Sequence, residues 1–381
     1  MKAKPLRILH VGNHTIPCIG GTESVIWQSA KEQARQGNQV EILVFNTCTK
    51  GNTLPAREEK DGVIIHRVPQ KGFSFYRIPP TDELMKFAQN KDIIHIHGVG
   101  AWMDALARRK KKLSAKLILT THGGFFHTRK RGVLKWIYSA FILPPSWNAM
   151  DGILYVSEND QTHFAEMGQE KTIVLPNGIE DEWIPARVPK KKPHSFLFLG
   201  RLSRNKRIDR LIDAFAAYSK HNPSAKLLIA GEDWEGIQPT LEDRVRSTHA
   251  EGKILFLGRV KEDQRRSLLS ESSIFVSASE YEGFGISAIE AMAYGCIPCL
   301  NTIPSFSSFV NAKRGFLVDY SSTPNVVETW KKIEALSPKQ LATQRNESRT
   351  FARGFSWKTI VKKQLEWYHS ILAKKDSHAQ T

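Results

Sequence analysis

Cysteine is scarce in this chain of 381 residues: Cys18, Cys48, Cys296 and Cys299 are all there is. That number and spacing in so long a chain do not suggest a disulfide framework, so reduced thiols are expected. Cys296-Ile297-Pro298-Cys299 has the Cys-x-x-Cys form, but no second ligand pair stands at zinc spacing. The segment reads instead as a strand beginning after a helix. Long apolar runs are missing too. None approaches the ~18 residues of a membrane span, and Lys2 to Val11 has no signal-peptide core or small-residue cleavage site. A cytoplasmic chain that touches but does not cross a membrane is expected. The Gly-x-Ser-x-Gly elbow, the Walker A loop and His-Glu-x-x-His are absent, which removes three common hydrolase and nucleotide-triphosphate classes. Asp-x-Asp is absent as well, so no obvious carboxylate pair stands ready to bridge a metal to a diphosphate.

Acidic residues are also in deficit, and the formal net charge is +17. The implied partners are anionic: nucleic acid, a membrane surface or phosphorylated small molecules. Placement narrows this. Between Ala105 and Met150 there are ten basic residues (Arg108, Arg109, Lys110, Lys111, Lys112, Lys116, Arg129, Lys130, Arg131 and Lys135) and no Asp or Glu. No nucleic-acid-binding signature accompanies them, and no stacking platform interleaves with the charge.

Apolar residues make up 41 % of the chain, enough for real cores. Short runs rich in Ile, Leu, Val and Phe alternate with helical patterns. Strands are expected at 6–11, 40–45, 63–68, 93–97, 117–121, 153–156 and 173–175, then at 196–199, 227–229, 254–257, 274–277 and 316–318. Continuous apolar runs suit parallel strands buried on both faces. Alternation with helices suits βαβ units. The fold class is therefore α/β, with two Rossmann-like doubly wound parallel-sheet domains facing a cleft. Pro185 to Pro193, rich in proline and lysine, cannot build a core and reads as a break. It sets an N-terminal domain at 1–186, a linker at 187–193 and a C-terminal domain at 194–355. A last helix over 356–374, with Ser356 as N-cap, carries Trp357, Ile360, Val361, Gln364, Leu365, Tyr368 and Leu372 on one stripe, a pattern of plain packing.

Glycine-rich turns after strands mark where chemistry can sit. Glu282-Gly283-Phe284-Gly285 follows the strand ending near Ser277 and opens a helix in which Glu290 lies eight residues after Glu282. Glycines let a backbone approach a ligand, and the first helical amides point outward. Gly200-Arg201-Leu202-Ser203-Arg204-Asn205-Lys206 follows the first strand of the second half. Its two cations, Arg201 and Lys206, ahead of a helix suit a diphosphate. Gly20-Gly21-Thr22-Glu23 opens the first helix. His122 ends a strand in Thr120-Thr121-His122-Gly123-Gly124, where an α/β sheet presents its ligands.

Together these motifs resemble the GT-B glycosyltransferases, specifically retaining enzymes of the family-4 type. Glu282 and Glu290 look like that family's E-x7-E pair. Arg201 and Lys206 look like its diphosphate-binding pair. A narrower resemblance runs through Ser157-Glu158-Asn159-Asp160, Thr121 to Thr128 and Glu282 to Ile286, which look like the α-mannosyltransferases of xanthan and acetan assembly. The resemblance implies transfer of mannose from GDP-mannose to a cellobiosyl unit on a polyprenyl diphosphate at the inner membrane surface, with no metal cofactor. It implies that Gly20 and Gly21 shape the cleft and His122 contacts the transferred sugar. Arg201 and Lys206 would bind the diphosphate. Glu282 and the Gly283-Phe284-Gly285 turn would hold sugar hydroxyls, and Glu290 the ribose. Arg259 and Val260 would meet the nucleobase. Retention is left with two routes: same-face substitution assisted by the leaving phosphate, or Glu282 as a nucleophile.

The basic stretch then gains a use. Arg108, Arg109, Lys110, Lys111, Lys112, Arg129, Lys130, Arg131 and Lys135 precede Trp136 and further aromatic and aliphatic residues. Cations beside aromatics suit an anionic membrane, where a lipid-linked acceptor would arrive. The rival readings are another nucleotide-sugar donor, a nucleic-acid-binding protein, a nucleotide-sugar epimerase or hydrolase, and an inactive scaffold.

Overall fold

A computed structural model describes residues 4–18, 20–48, 53–73, 76–122 and 136–373. The chain divides into two compact units, Met1–Gly178 with Trp357–Thr381, and Ile179–Ser356. That division lies ahead of the proline- and lysine-rich stretch expected as a linker, which belongs to the second unit. There the Lys192 amide donates to the Glu271 carbonyl at 2.7 Å, and Arg349 donates to the Pro185 carbonyl at 2.5 Å. Prolines bar a helix but not an extended strap whose carbonyls find partners.

The first unit holds an eight-stranded sheet. Its order is Thr172–Val174, Gly152–Tyr155, Lys116–Thr120, Ile93–His97, Arg7–Val11, Gln39–Phe45, Val63–Val68 and Arg57–Lys60. Every neighbouring pair is parallel except the last. Strand side chains alternate between faces. Leu9, Val11, Ile94 and Ile96 pack on one face with Leu117 and Trp147. Ile8, Ile93 and Ile118 pack on the other, against Trp357, Ile360, Val361, Leu365, Tyr368 and Ile371 of the helix Trp357–Ala373. By the same alternation His10, His95 and His97 belong to this second face, and all three are buried.

The second unit holds six parallel strands in the order Ile254–Gly258, Lys226–Ala230, Ser195–Leu199, Ile274–Ser277, Ile297–Asn301 and Phe316–Val318. Phe196, Phe215, Tyr218 and Trp330 form an aromatic core on one face. The helix Ile286–Ala293 covers the other. The doubly wound parallel architecture thus holds in each unit. Among the parallel strands of each, the order reverses beside Arg7–Val11 and beside Ser195–Leu199. The carboxyl ends of strands at such switch points are where open α/β sheets bind ligands.

Two features depart from expectation. Arg57–Lys60, an Arg-Glu-Glu-Lys edge strand, pairs antiparallel with Val63–Val68 through a turn in which Asp61 and Gly62 both have positive φ. Charge suits an edge strand, which needs no apolar run. Cys18 and Cys48 are joined by a disulfide, which corrects the expectation of four reduced thiols. They are 30 residues apart in sequence but follow adjacent parallel strands whose Val11 and Leu43 are in register. Cys296 and Cys299 are free and buried. Alkylation of the denatured, unreduced protein is therefore expected to label two cysteines, and four after reduction. Mass spectrometry reads the difference, and four labels without reduction would refute the bond.

Candidate functional site

The loops leaving the switch point of the second unit bring the strongest pair together. Lys206 Nζ lies 2.6 Å from Glu282 Oε1, with side chains only 14 % and 19 % exposed. Backbone and side-chain ties hold the two loops to each other. The Glu280 amide donates to the Asn205 carbonyl at 2.9 Å, and Asn205 Nδ2 donates to the Tyr281 carbonyl at 3.1 Å. Ser279 Oγ donates to Glu282 Oε1 at 3.0 Å, fixing the carboxylate from below. A largely shielded ammonium can bind an anion, and the fixed carboxylate beside it can accept hydrogen bonds from hydroxyls at the same place. Gly231 permits the tight approach of the first loop, since a Cβ there would stand 1.7 Å from the Gly200 carbonyl oxygen.

Arg201 is exposed and lies over the Trp234 ring at 4.9 Å. Stacking restrains its guanidinium without neutralising it, so its charge stays available to an anion. Arg207, a cation that the motif reading did not single out, is spent on Asp209 and Glu280.

Gly285 caps the helix Ile286–Ala293 in the left-handed region, at φ +96°. A Cβ there would stand 2.7 Å from Phe306 Cε1, so only glycine fits. Gly283 faces open space. The Phe284 ring packs inward on Phe309 and Phe355, leaving its backbone rather than its side chain for a ligand. Glu290 is buried, and burial raises its carboxyl above the usual range against the pull of Arg265, with which it forms an ion pair. Arg265 also lies over Trp183 at 4.9 Å. Neither residue was legible in the motif, because their contact depends on how one helix packs on another. Arg259 is exposed and 4.0 Å from Glu232, while Val260 packs partly against the core.

In the first unit, Gly20 is the N-cap of Gly21–Arg35, and Gly21 meets nothing within 4 Å. His122 sits just past the strand Lys116–Thr120 with φ +50°, a left-handed backbone rarely kept by a non-glycine residue without a reason. Its neighbour Thr121 donates to Asp160, whose Oδ2 also accepts from the Val156 amide at 3.1 Å. Ser157 caps the helix Glu158–His163 by accepting from the Asp160 amide. The Ser-Glu-Asn-Asp motif is therefore the anchor of the His122 turn.

Behind His122 stands a buried chain absent from the motif reading. His122 Nε2 is 3.1 Å from His97 Nδ1, His97 Nε2 is 2.9 Å from His10 Nδ1, and His10 Nε2 is 2.8 Å from Gln33 Oε1. Burial depresses the basicity of His10 and His122 to a pKa of about 4, and that of His95 and His97 well below the ordinary histidine value. All four rings are neutral near pH 7. Single polar residues inside strand runs read as ordinary core members in sequence.

The basic face is partly used internally. Arg109 donates to the Ala105 carbonyl and to Thr81 Oγ1 at 3.0 and 3.1 Å, and Lys110 and Lys116 both pair with Asp151. Arg108, Lys111 and Lys112 are exposed. Arg129, Lys130, Arg131 and Lys135 lie outside the described residues. Trp136 and Phe141 are 65 % and 67 % exposed, edge to face. Among the described residues no helix is long and apolar enough to cross a membrane.

Two family models match the chain in sequence order: Glycosyltransferase Family 4 at residues 19–183 and Glycosyl transferases group 1 at residues 179–350. The chain is 27 % identical to a GDP-mannose:cellobiosyl-diphosphopolyprenol alpha-mannosyltransferase of Xanthomonas oryzae pv. oryzae, over 96 % of this chain and 97 % of that protein. It is 25 % identical to the protein of the same name from Komagataeibacter xylinus, over 97 % and 94 %. In fold it is similar to a sucrose-phosphate synthase from Thermosynechococcus elongatus, with a TM-score of 0.72 at 18 % identity, covering 97 % of this chain and all of that one. The chain is a GT-B glycosyltransferase, a Glycosyltransferase Family 4 domain followed by a Glycosyl transferases group 1 domain.

Proposed function

We propose that this glycosyltransferase moves α-mannose from GDP-mannose, with retention, to a cellobiosyl unit on a polyprenyl diphosphate, as in exopolysaccharide repeat assembly. The observation that carries the transfer reading is the Lys206–Glu282 pair at the switch point of the second unit. The names of the relatives from Xanthomonas and Komagataeibacter support the donor and the acceptor.

In this reading Lys206 and Arg201 meet the diphosphate, and Glu282 with the Gly283-Phe284-Gly285 backbone holds the sugar hydroxyls. Glu290 holds the ribose, Arg259 and Val260 stand by the base, His122 meets the transferred sugar, and Gly20 and Gly21 shape the donor and acceptor side. Breaking the anomeric C–O bond leaves a cationic sugar and an anionic diphosphate. Fixed cations stabilise that anion more in the transition state than in the ground state, and no metal is required. Its retention proceeds by same-face substitution in which the leaving phosphate takes the acceptor proton.

The test is transfer in EDTA from GDP-mannose, UDP-glucose, UDP-galactose or UDP-N-acetylglucosamine to a synthetic cellobiosyl-diphospho-lipid, read by mass spectrometry. A hexose added from GDP-mannose alone is the expected result. Addition from another donor would keep sugar transfer and discard mannose. The exposed aromatics Trp136 and Phe141, and the exposed cations Arg108, Lys111 and Lys112, support a membrane-facing surface on the cytoplasmic side. Anionic liposomes are expected to co-sediment the protein at low salt and to release it at high salt. No co-sedimentation at low salt would discard that surface.

A further inference from the structure

We infer that Gln33, His10 and His97 are positioning residues that hold His122 as its Nε2–H tautomer, so that its Nδ1 lone pair faces a hydroxyl of the sugar rather than a phosphate oxygen. The inference rests on the reading of His122 as a sugar contact, and goes beyond it by assigning the proton positions and the residues that set them.

The direction of the chain starts at an amide. Gln33 Nε2 donates to Gln364 Oε1 at 2.7 Å, and Ser29 Oγ donates to the same oxygen at 2.9 Å. That leaves Gln33 Oε1 facing His10 Nε2. An amide oxygen only accepts, so His10 carries its proton on Nε2. A neutral ring then has a bare Nδ1, and His97 must donate to it from Nε2. His97 Nδ1 is bare in turn and accepts from His122 Nε2–H. The last lone pair in the series is His122 Nδ1. It accepts from a hydroxyl and repels an anionic oxygen, which selects the ligand by chemistry. The second branch, His95, is tied off by Thr120 Oγ1 and Tyr368 OH, both at 2.6 Å.

His10, His95 and His97 also place nitrogens within 4.8 Å of one another, the spacing of a metal site. Yet all six of their ring nitrogens already have the partners named above, so the hydrogen-bonded chain accounts for the cluster. Gln364 and Tyr368 stand on the helix Trp357–Ala373. What reads as a packing stripe in sequence therefore also orients a side chain far from it along the chain.

The test uses the full-length protein labelled with ¹⁵N-histidine, whose long-range ¹⁵N–¹H correlations report each ring's tautomer at pH 7.5. His122→Asn identifies the His122 signals. The expected result is a protonated Nε2 and a bare Nδ1 on His122 in the unaltered protein. Gln33→Met removes the anchoring acceptor, and is expected to mix the tautomers and lower kcat about tenfold or more with KM for the nucleotide sugar unchanged. Gln33→Glu keeps an accepting oxygen in either protonation state and is expected to restore both. A His122 protonated on Nδ1 in the unaltered protein, or a tautomer untouched by Gln33→Met, would overturn the inference. His122→Ala separates the two readings: full turnover in that variant would sink His122 as a sugar contact, whatever the tautomer signals report.

Discussion

Lys206→Ala is expected to cut kcat about 10²- to 10³-fold, the usual loss when one preplaced charge is removed from a developing anion. The same factor is expected in kcat/KM, because the interaction is made in the transition state. The structure makes the variant a clean test. Lys206 contributes through its ammonium, which meets Glu282 at 2.6 Å, and its own backbone N–H donates to the Ser203 carbonyl at 3.0 Å. Losing the partner leaves Glu282 with Ser279 and with water on its 19 % exposed side chain. The thermal midpoint should therefore move far less than it does when a fully buried ion pair is broken. Glu282→Gln should lose less turnover, because the amide oxygen still accepts from hydroxyls. A rise in KM alone in Lys206→Ala would make the lysine a uniform binder of the donor and deny it a part in the bond-breaking step.

Acid is expected to unfold the first unit well above the pH at which carboxylates titrate. Histidines in the unfolded chain titrate near a pKa of about 6.5, whereas burial holds His10 and His122 at about 4 and His95 and His97 well below their ordinary value. The folded pKa is lower for a cationic acid. Between pH 6.5 and 4 the unfolded state thus binds protons that the folded state refuses, and stability falls as pH falls through that window. Each such ring contributes about 1.4 kcal/mol per pH unit there, so His10 and His122 alone remove on the order of 3 kcal/mol each. Glu290 works in the opposite direction above its ordinary pKa, because burial raises it, but it is one group and lies in the other unit. Glu41, depressed to about 2 chiefly by His66, matters only below pH 4.5. The urea midpoint followed by circular dichroism should be steady above pH 7 and drop steeply by pH 5, with a shallower drop in His95→Gln. A flat profile from pH 7.5 to 5 would mean that the rings are charged or solvated in the folded protein.

Much of this was legible in residue order. Runs such as Ile-Ile-His-Ile-His at Ile93–His97 and Phe-Leu-Phe-Leu at Phe196–Leu199 are too apolar and too short for anything but strands buried on both faces. Glycines after them mark where the backbone turns toward a ligand. Local chemistry suffices for such readings, since burial of a run and the freedom of a glycine act over a few residues. The Arg-Glu-Glu-Lys strand escaped because an edge strand draws its stability from a ladder with its neighbour. Cys18 and Cys48 escaped because their meeting follows from the register of two strands. The histidines escaped for a related reason: each is an ordinary core position along its own strand, and only the sheet puts three of them in line.

By itself, then, the sequence determined two doubly wound parallel sheets, the turns that end their strands, and the residue types Lys206, Glu282 and His122 at those turns. Only the tertiary structure decided which of these meet, and how their protons are arranged. The Lys206–Glu282 contact, the Arg265 partner of Glu290, the disulfide and the chain from Gln33 to His122 all join residues distant in sequence. A hydrogen bond or an ion pair depends on separations of about 3 Å in space, and no local pattern encodes those.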